Sequence, residues 1–340
     1  MMQYDKPYRT LDELILLLSS EKNLAIQDVE KAKTILKFIP YYDLINGYKE
    51  HFMDENDKFE EGTTLDLLYM FHTFDRGFQN ILFEFSVIVE DYYKNILSQV
   101  LSKHFGVDEK EYLAPEHYIS RKGQISRKQL LDHLNGILSH PLENPTKYYK
   151  NHHNHIPPWI LLKNVSFSNA INLFVILTRE AKTDLVNELL PIDVPVDQKI
   201  PILRYTLTLI RKFRNIIAHN LKFTTFSCKQ YANNLNKKAL RLLIPRTLVK
   251  NDELNKQTIL CGIYGYIILS LSIIPDASTK LLLVNKLTEY VVNRALQSNQ
   301  DLSHTWYRLG QKYFLETNIP IDMIRRFPDY CRYLIKNTQH

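Results

Sequence analysis

The sequence predicts an all-α protein. Its 340 residues include only 9 glycines and 14 prolines, so few positions suit tight turns or bulges. Apolar residues recur every three or four positions over long segments, as in helices that bury one face. Hydrophobic residues make up 45% of the chain and charged residues 24%, the balance of a globular protein of one large domain or two to three modules.

The first predicted helices form a small module over residues 1–60. Thr10 precedes LDELILLL and Glu13 follows three residues later, which is the pattern of a capping box. A second amphipathic helix fits IQDVEKAKTILKFI, and PYYDLINGYKEHF then turns at Asn46–Gly47. Such a module fits a helix-turn-helix relative or a docking module without a nucleic-acid role. The second interpretation is favoured, since neither helix is basic enough for a recognition helix.

The next part of the chain predicts a helical bundle over residues 61–226. Residues 65–102 carry an apolar stripe and contain no proline and no glycine except Gly77, which indicates one long central helix or two joined end to end. Further helices are expected at residues 128–138, 159–190 in two pieces, and 198–219. Residues 227–340 form a C-terminal helical extension whose role stays open, with helices at 256–274, 278–297 and 303–316.

The three cysteines, Cys228, Cys261 and Cys331, are widely spaced and odd in number. They form no disulfide framework and no cysteine-based zinc pattern, and the N-terminus lacks a signal-peptide pattern. We therefore expect a cytoplasmic protein. The most apolar run, TILCGIYGYIILSLSII, is shorter than the roughly 20 residues of a membrane span. It predicts a buried core helix and no membrane partner.

Basic residues are concentrated in one segment. The net charge is only +6, yet residues 211–250 hold ten Lys or Arg and no Asp or Glu. A solvated surface usually carries interspersed acids, so this segment predicts an anion-binding face that a phosphate backbone would meet. The candidate RNA-binding residues are Arg211, Lys212, Lys222, Lys229, Lys237, Lys238 and Arg241.

The stretch RKFRNIIAHN contains the candidate catalytic residues. From Arg214 to His219 a regular helix turns about 500°, which leaves the two side chains about 140° apart. They converge if the helix ends or distorts near Ala218–His219, or if a second copy of the helix faces the first. Asn215 lies four residues before His219, so its amide is placed to orient the imidazole.

These residue types suit RNA transesterification without a metal or cofactor. A histidine can take a proton from a ribose 2′-hydroxyl or give one to the 5′-oxygen, and an arginine can hold the phosphate. Against this, a histidine near a helix C-terminus is favoured by the helix dipole alone. Glu90 and Asn220 are candidate supporting residues. Glu90 could pair with Arg214, although an exposed helix acid is the commoner outcome.

A second histidine group lies in YYKNHHNH. Three histidines within four residues could bind a metal, but no acid lies among them and none are paired at helical i,i+4 spacing. A surface loop with incidental histidines is favoured, and a pH-sensitive RNA contact is the functional alternative. The sequence has no phosphate-binding loop and no nucleophile elbow, so it gives no support to triphosphatase or serine-hydrolase activity.

Five segments in the same order resemble the Abi-like family of abortive-infection proteins, of the AbiD/AbiF type, within the HEPN ribonuclease superfamily. Together they cover about residues 5–226, and one departure is Lys163 or Asn164, where the family often has Glu. The segments are KPYRTLDELILLLSSEKNLAIQD, ILKFIPYYDLINGYKEHF, FEEGTTLDLLYMFHTFDRGFQNIL, PPWILLKNVSFSNAINLF and LIRKFRNIIAHNLKFTTF.

The resemblance implies a HEPN-type helical bundle that forms a homodimer and brings two Arg-x4-His motifs together. Arg214 and His219 would then be the catalytic pair, with Asn215 shaping the site. It also implies a metal-independent endoribonuclease that leaves 2′,3′-cyclic phosphate ends, in a phage-defence or toxin role, with RNA as substrate and a regulatory RNA as a further partner. The alternatives are a non-catalytic module that binds a structured or regulatory RNA and, last, a protein-interaction scaffold.

Overall fold

The computed structural model describes residues 7–120, 126–229, 235–256, 258–296 and 300–338. Over these ranges the secondary structure is helical. Three isolated backbone bridges occur, and the described residues form no strand. The all-α prediction is therefore confirmed.

The helices are short in the N-terminal part and longer around the motif. The α-helices are, in chain order, α1 Leu11–Leu16, α2 Val29–Phe38, α3 Lys49–Phe52, α4 Leu65–Phe105, α5 Glu109–Tyr112, α6 Arg127–Ser139, α7 Thr146–His152, α8 Pro158–Asn164, α9 Phe167–Ile176, α10 Arg179–Leu189, α11 Val196–Ala218, α12 Lys237–Leu243, α13 Asn251–Asn255, α14 Ile263–Ile273, α15 Ala277–Leu296, α16 Gln300–Glu316 and α17 Met323–Thr338. Two π-helical turns, Leu17–Glu21 and Tyr42–Asn46, and two 3-10 turns, Pro115–His117 and Thr258–Leu260, complete the described helical structure.

Local sequence signals predicted several of these elements. The capping box at α1 is confirmed, since the backbone N–H of Thr10 donates to Glu13 over 2.7 Å and that of Glu13 donates to the Thr10 hydroxyl over 3.3 Å. The long helix is confirmed as one element, because α4 runs for 41 residues. The prediction of two helices in 159–190 is wrong. Three helices, α8 to α10, cover this segment, and α9 begins where the Ser166 hydroxyl accepts from the N–H of Asn169 and caps a new N-terminus.

The chain divides into two compact units, each built from segments that are distant in sequence. The first contains residues 1–81, 216–226 and 286–321, and the second contains residues 82–215, 227–285 and 322–340. The sequence predicted three consecutive parts, divided at residues 60 and 226. That division stays a prediction.

Aromatic residues surround a buried carboxylate in the core of the first unit. The Asp75 carboxylate accepts hydrogen bonds from the hydroxyls of Tyr48 and Tyr313, each over 2.8 Å, and from the amide of Gln79 over 2.7 Å. Phe71 and Phe74 pack on the Tyr313 ring with centroids 5.5 and 5.1 Å away. Burial raises the pKa of Asp75 to about 6, although the three donors favour the carboxylate.

The one glycine inside the long helix α4 lets a second helix approach closely. The Tyr290 hydroxyl on α15 donates to the Phe74 carbonyl over 2.9 Å, directly beside Gly77. A Cβ at position 77 would lie 2.6 Å from the Tyr290 ring carbon that bears the hydroxyl. Gly77 therefore has a packing role, despite the helix-propensity cost of a glycine at that position.

We expect Gly77→Ala to lower the free energy of unfolding by about 1–2 kcal/mol, because overpacking outweighs the gain in helix propensity. Urea unfolding measures the change. Gly136→Ala is the matched control: it lies in α6, and a Cβ there meets no atom of the described chain within 4 Å. The control should be neutral or stabilising by up to about 1 kcal/mol. Equal stability of the two variants would contradict the packing role.

Helix α14 forms the centre of the second unit. All but one of its 11 residues are buried, so the predicted core helix is confirmed within 258–274. The Tyr266 ring on α14 stacks on Phe213 of α11 at 5.1 Å between centroids, and the Tyr266 hydroxyl donates to the carbonyl of Leu82 on α4. This packing fixes α11 just before Arg214. No helix of the described ranges is both long enough and apolar enough to cross a bilayer.

Candidate functional site

Helix α11 ends within the motif. Ala218 is its last residue, and Asn220 follows with a φ of 53°, in the left-handed region that asparagine tolerates. The N–H of Leu221 donates to the Ile216 carbonyl over 2.9 Å, and that of Asn220 to the Ile217 carbonyl over 3.2 Å. These bonds form a Schellman motif. His219 is thus the C-cap residue, and its side chain is exposed.

Three contacts within the first unit hold the segment that follows His219. The Asn220 amide donates to the Asp43 carboxylate over 2.6 Å. Two further pairs follow along the chain: Lys222 with Glu50 at 2.7 Å, and the Thr224 hydroxyl with a ring nitrogen of His51 at 2.8 Å. The residues on the other side of these contacts all belong to the segment 43–51, so this aromatic-rich segment positions the chain beside the imidazole.

Arg214 is half-buried in the second unit and lies beside an acid and an aromatic ring. Its Nε is 3.8 Å from the Glu90 carboxylate, and the guanidinium carbon is 5.6 Å from the centre of the Phe83 ring. The ion pair is too long for a hydrogen bond. Nε is buried without a hydrogen-bond partner, and the guanidinium makes no hydrogen bond to any residue of the described chain. Its terminal amines are therefore available to an anion.

An exposed acid on the helix surface was the commoner outcome expected for Glu90, but the structure places this side chain largely out of solvent. Its side chain is 15% exposed, and its second carboxylate oxygen lies 2.7 Å from the ammonium of Lys94. Lys94 and Phe83 were not identified from the sequence as parts of this site. The Glu-to-Lys spacing of four residues on a helix was a signal for Lys94, whereas nothing in the sequence pairs Phe83 with Arg214.

The four motif residues divide between the two units. Arg214 and Asn215 close a segment of the second unit, while His219 and Asn220 belong to the first. Asn215 is half-buried. Its orientation of the imidazole and the convergence of Arg214 with His219 stay predictions.

Comparison with known proteins identifies the family. A model of the family described as "Abi-like protein" matches residues 34–224, more than half of the chain. The chain belongs to the Abi-like family. No curated protein and no solved structure matches it. The matched range of this Abi-like protein includes Arg214, His219 and Glu90, whereas residues 225–340 lie outside it.

The acid-free segment of this Abi-like protein does not form an acid-free surface. Lys222 pairs with Glu50, and Lys250 lies 3.2 Å from Asp322. These acids come from distant parts of the sequence, so the charge pattern of residues 211–250 overstated the local positive field.

The candidate RNA-binding residues differ in their exposure to solvent and in whether they already have partners within the protein. Arg211 donates to the Ser168 hydroxyl over 2.9 Å, and Arg241 donates to the carbonyls of Ile244 and Lys250, so both guanidinium groups have partners within the protein. Lys212 is half-buried. The exposed cations are Lys229, Lys237 and Lys238. Lys237, Lys238 and Arg241 line one cavity of about 450 Å³, and these three are brought together by α12.

The histidines of residues 152–155 lie at the end of α7, a helix inside a segment that was expected to be a loop. The rings of His152 and His153 stack on Tyr148 and Tyr149, each with centroids 4.3 Å apart. Among the residues that the structure describes, no three His, Cys, Asp or Glu side chains are grouped as metal ligands would be. The stacked rings account for the local arrangement of His152 and His153.

Proposed function

We propose that this Abi-like protein is a phage-defence effector of the abortive-infection type, and that it is a metal-independent endoribonuclease of the HEPN class. The supporting observation is the Arg214 guanidinium, which lies near Glu90 and Phe83 and has no hydrogen-bond partner in the described chain. It precedes an exposed histidine at the end of the same helix. An arginine desolvated on one side and unsatisfied at its amines is suited to bind a phosphate.

The chemistry follows from the two side chains. Arg214 holds the scissile phosphate and offsets the charge that develops on its oxygens. His219 takes the proton from the ribose 2′-hydroxyl, whose oxygen attacks phosphorus while the bond to the 5′-oxygen breaks. A proton from an imidazolium goes to that leaving oxygen. The products are a 2′,3′-cyclic phosphate and a 5′-hydroxyl. In a homodimer, the two copies of His219 would supply base and acid.

The test is cleavage of single-stranded RNA by the purified full-length chain with and without EDTA. We expect equal rates in both, since neither residue needs a metal. Loss of cleavage in EDTA would overturn the metal-independent mechanism and direct attention back to the histidines at 152–155. Inhibition of growth on expression, relieved by His219→Ala, would support the defence role.

The alternative is a non-catalytic module that binds a structured or regulatory RNA. The observation that favours it is the exposed set Lys229, Lys237 and Lys238, which extends the basic segment beyond the motif. This alternative predicts RNA binding that weakens steeply with salt and is unchanged by His219→Ala, with no cleavage by either protein. Filter binding across a salt series, run beside the cleavage assay, separates the two functions.

A further inference from the structure

A cavity of about 550 Å³ lies in the second unit between α4 and α8. Its lining includes Tyr92, Lys94 and Asn95 from α4, and Trp159, Ile160 and Lys163 from α8. The volume is that of a site for a small ligand or for one group of a larger one. The lining combines flat apolar surface with two lysines and one carboxylate, Asp91, so it offers an aromatic face beside an ion pair that an anion can displace.

Trp159 presents a large flat ring at this cavity. Pro157 precedes helix α8 and Pro158 is its first residue, so the backbone that carries the indole is rigid. Trp159 is 46% exposed. A fixed, exposed aromatic ring of this kind is a stacking platform for an unpaired base, because every base has a flat π-face.

The two lysines of the cavity differ in how freely they can bind an anion. The Lys163 ammonium lies 3.3 Å from Asp91, and both side chains are more than half exposed. Such a surface pair is weak, so the ammonium can leave the carboxylate for a phosphate. Lys94 is only 11% exposed and is held by Glu90 at 2.7 Å. It therefore fixes the wall of the cavity next to Glu90.

The same Glu90 joins the cavity to the motif arginine. One of its oxygens contacts Lys94, which lines the cavity, and the other lies 3.8 Å from Arg214. We propose that this cavity binds an unpaired base of RNA next to the phosphate held at Arg214, with the base stacked on Trp159 and a flanking phosphate on Lys163. The proposal rests on the proposed function, because it takes single-stranded RNA as the ligand.

The test measures binding of a fluorescent single-stranded hexaribonucleotide to the full-length chain with His219→Ala, a variant for which the proposed mechanism predicts cleavage slower by at least about 100-fold. Trp159→Ala in this background should weaken binding by about 5- to 150-fold, whereas Trp159→Phe, which keeps a stacking ring, should lose less. Lys163→Met should lower the slope of log affinity against log salt by about 0.7. Tyr148→Ala is the matched control, since it removes a ring that is 51% exposed on α7 in the same unit and does not line the cavity.

The outcomes separate the two proposals. Equal binding by the parent and Trp159→Ala overturns the cavity proposal and leaves the catalytic motif untouched. Trp159-dependent binding without cleavage by the wild-type chain supports the cavity and counts against the nuclease. A nucleoside monophosphate that binds through Trp159, with hexamer binding unchanged, assigns the cavity to a free nucleotide and overturns the RNA proposal. Thermal unfolding of each variant tests whether a loss of RNA binding reflects a loss of folding.

Discussion

Replacing His219 with alanine should lower the rate of RNA cleavage by about 100- to 10,000-fold, the contribution of a positioned general acid or base. The imidazole is exposed at the end of α11, where it can meet a ribose hydroxyl, and no other group of the motif can accept that proton. Arg214 serves only the phosphate. Single-turnover cleavage of a labelled RNA with excess protein measures the chemical step directly.

The control for this experiment is His140→Ala. His140 is also an exposed histidine at a helix C-cap, following α6, but it has no arginine five residues before it. Each substitution removes a helix-dipole contact worth about 0.3–1 kcal/mol, so the two variants should lose similar stability. Only His219→Ala should lose cleavage. If both variants cleave RNA at the wild-type rate, His219 is a capping histidine and has no catalytic role.

Replacing Asp75 with asparagine should change the pH dependence of stability. Burial raises the pKa of Asp75 from 3.8 to about 6, so the folded state binds a proton that the unfolded state has released. This stabilising contribution is fully present below about pH 3.8 and is lost as the pH rises through about 6. Over that window it amounts to about 3 kcal/mol. Asparagine cannot titrate and removes this dependence.

The measurement is the free energy of unfolding in urea at a series of pH values from 4 to 7.5. The stability of the wild type relative to Asp75→Asn should fall by about 2.4 kcal/mol over this series. Tyr313→Phe removes a hydroxyl that donates to the carboxylate, and this bond lowers the pKa of Asp75. In this variant the stabilising contribution of Asp75 should therefore be lost at a higher pH than in the wild type. A difference between wild type and Asp75→Asn that does not vary with pH would show that Asp75 titrates normally.

The parts of the fold that the sequence predicted are those with local signals. Thr10 and Glu13 are three residues apart, the apolar stripe of α4 repeats every turn, and α14 is a continuous apolar run. In each case the residues that interact lie within one helix or one turn. Residues 159–190 contain two breaks, before α9 and before α10, whereas the sequence predicted one, because neither break is marked by a glycine or a proline.

The site was predictable only as far as the motif itself. The sequence located Arg214 and His219, and it proposed Glu90 as a partner of the arginine. It could not show that Glu50 pairs with Lys222 or that Asp322 pairs with Lys250, because these contacts join residues more than 70 positions apart. The cavity at Trp159 was beyond sequence reasoning for the same reason, since it forms only where two distant helices pack.

In the proposed mechanism, Arg214 and His219 promote attack by a ribose 2′-hydroxyl on the adjacent phosphate. The most direct test is to cleave a defined RNA in EDTA, to identify the new ends, and to repeat the reaction with a single 2′-deoxyribose 5′ to the scissile phosphate. We expect 2′,3′-cyclic phosphate and 5′-hydroxyl ends and no cleavage at the deoxy position. Ends that carry a 5′-phosphate, or cleavage at the deoxy position, would contradict this mechanism.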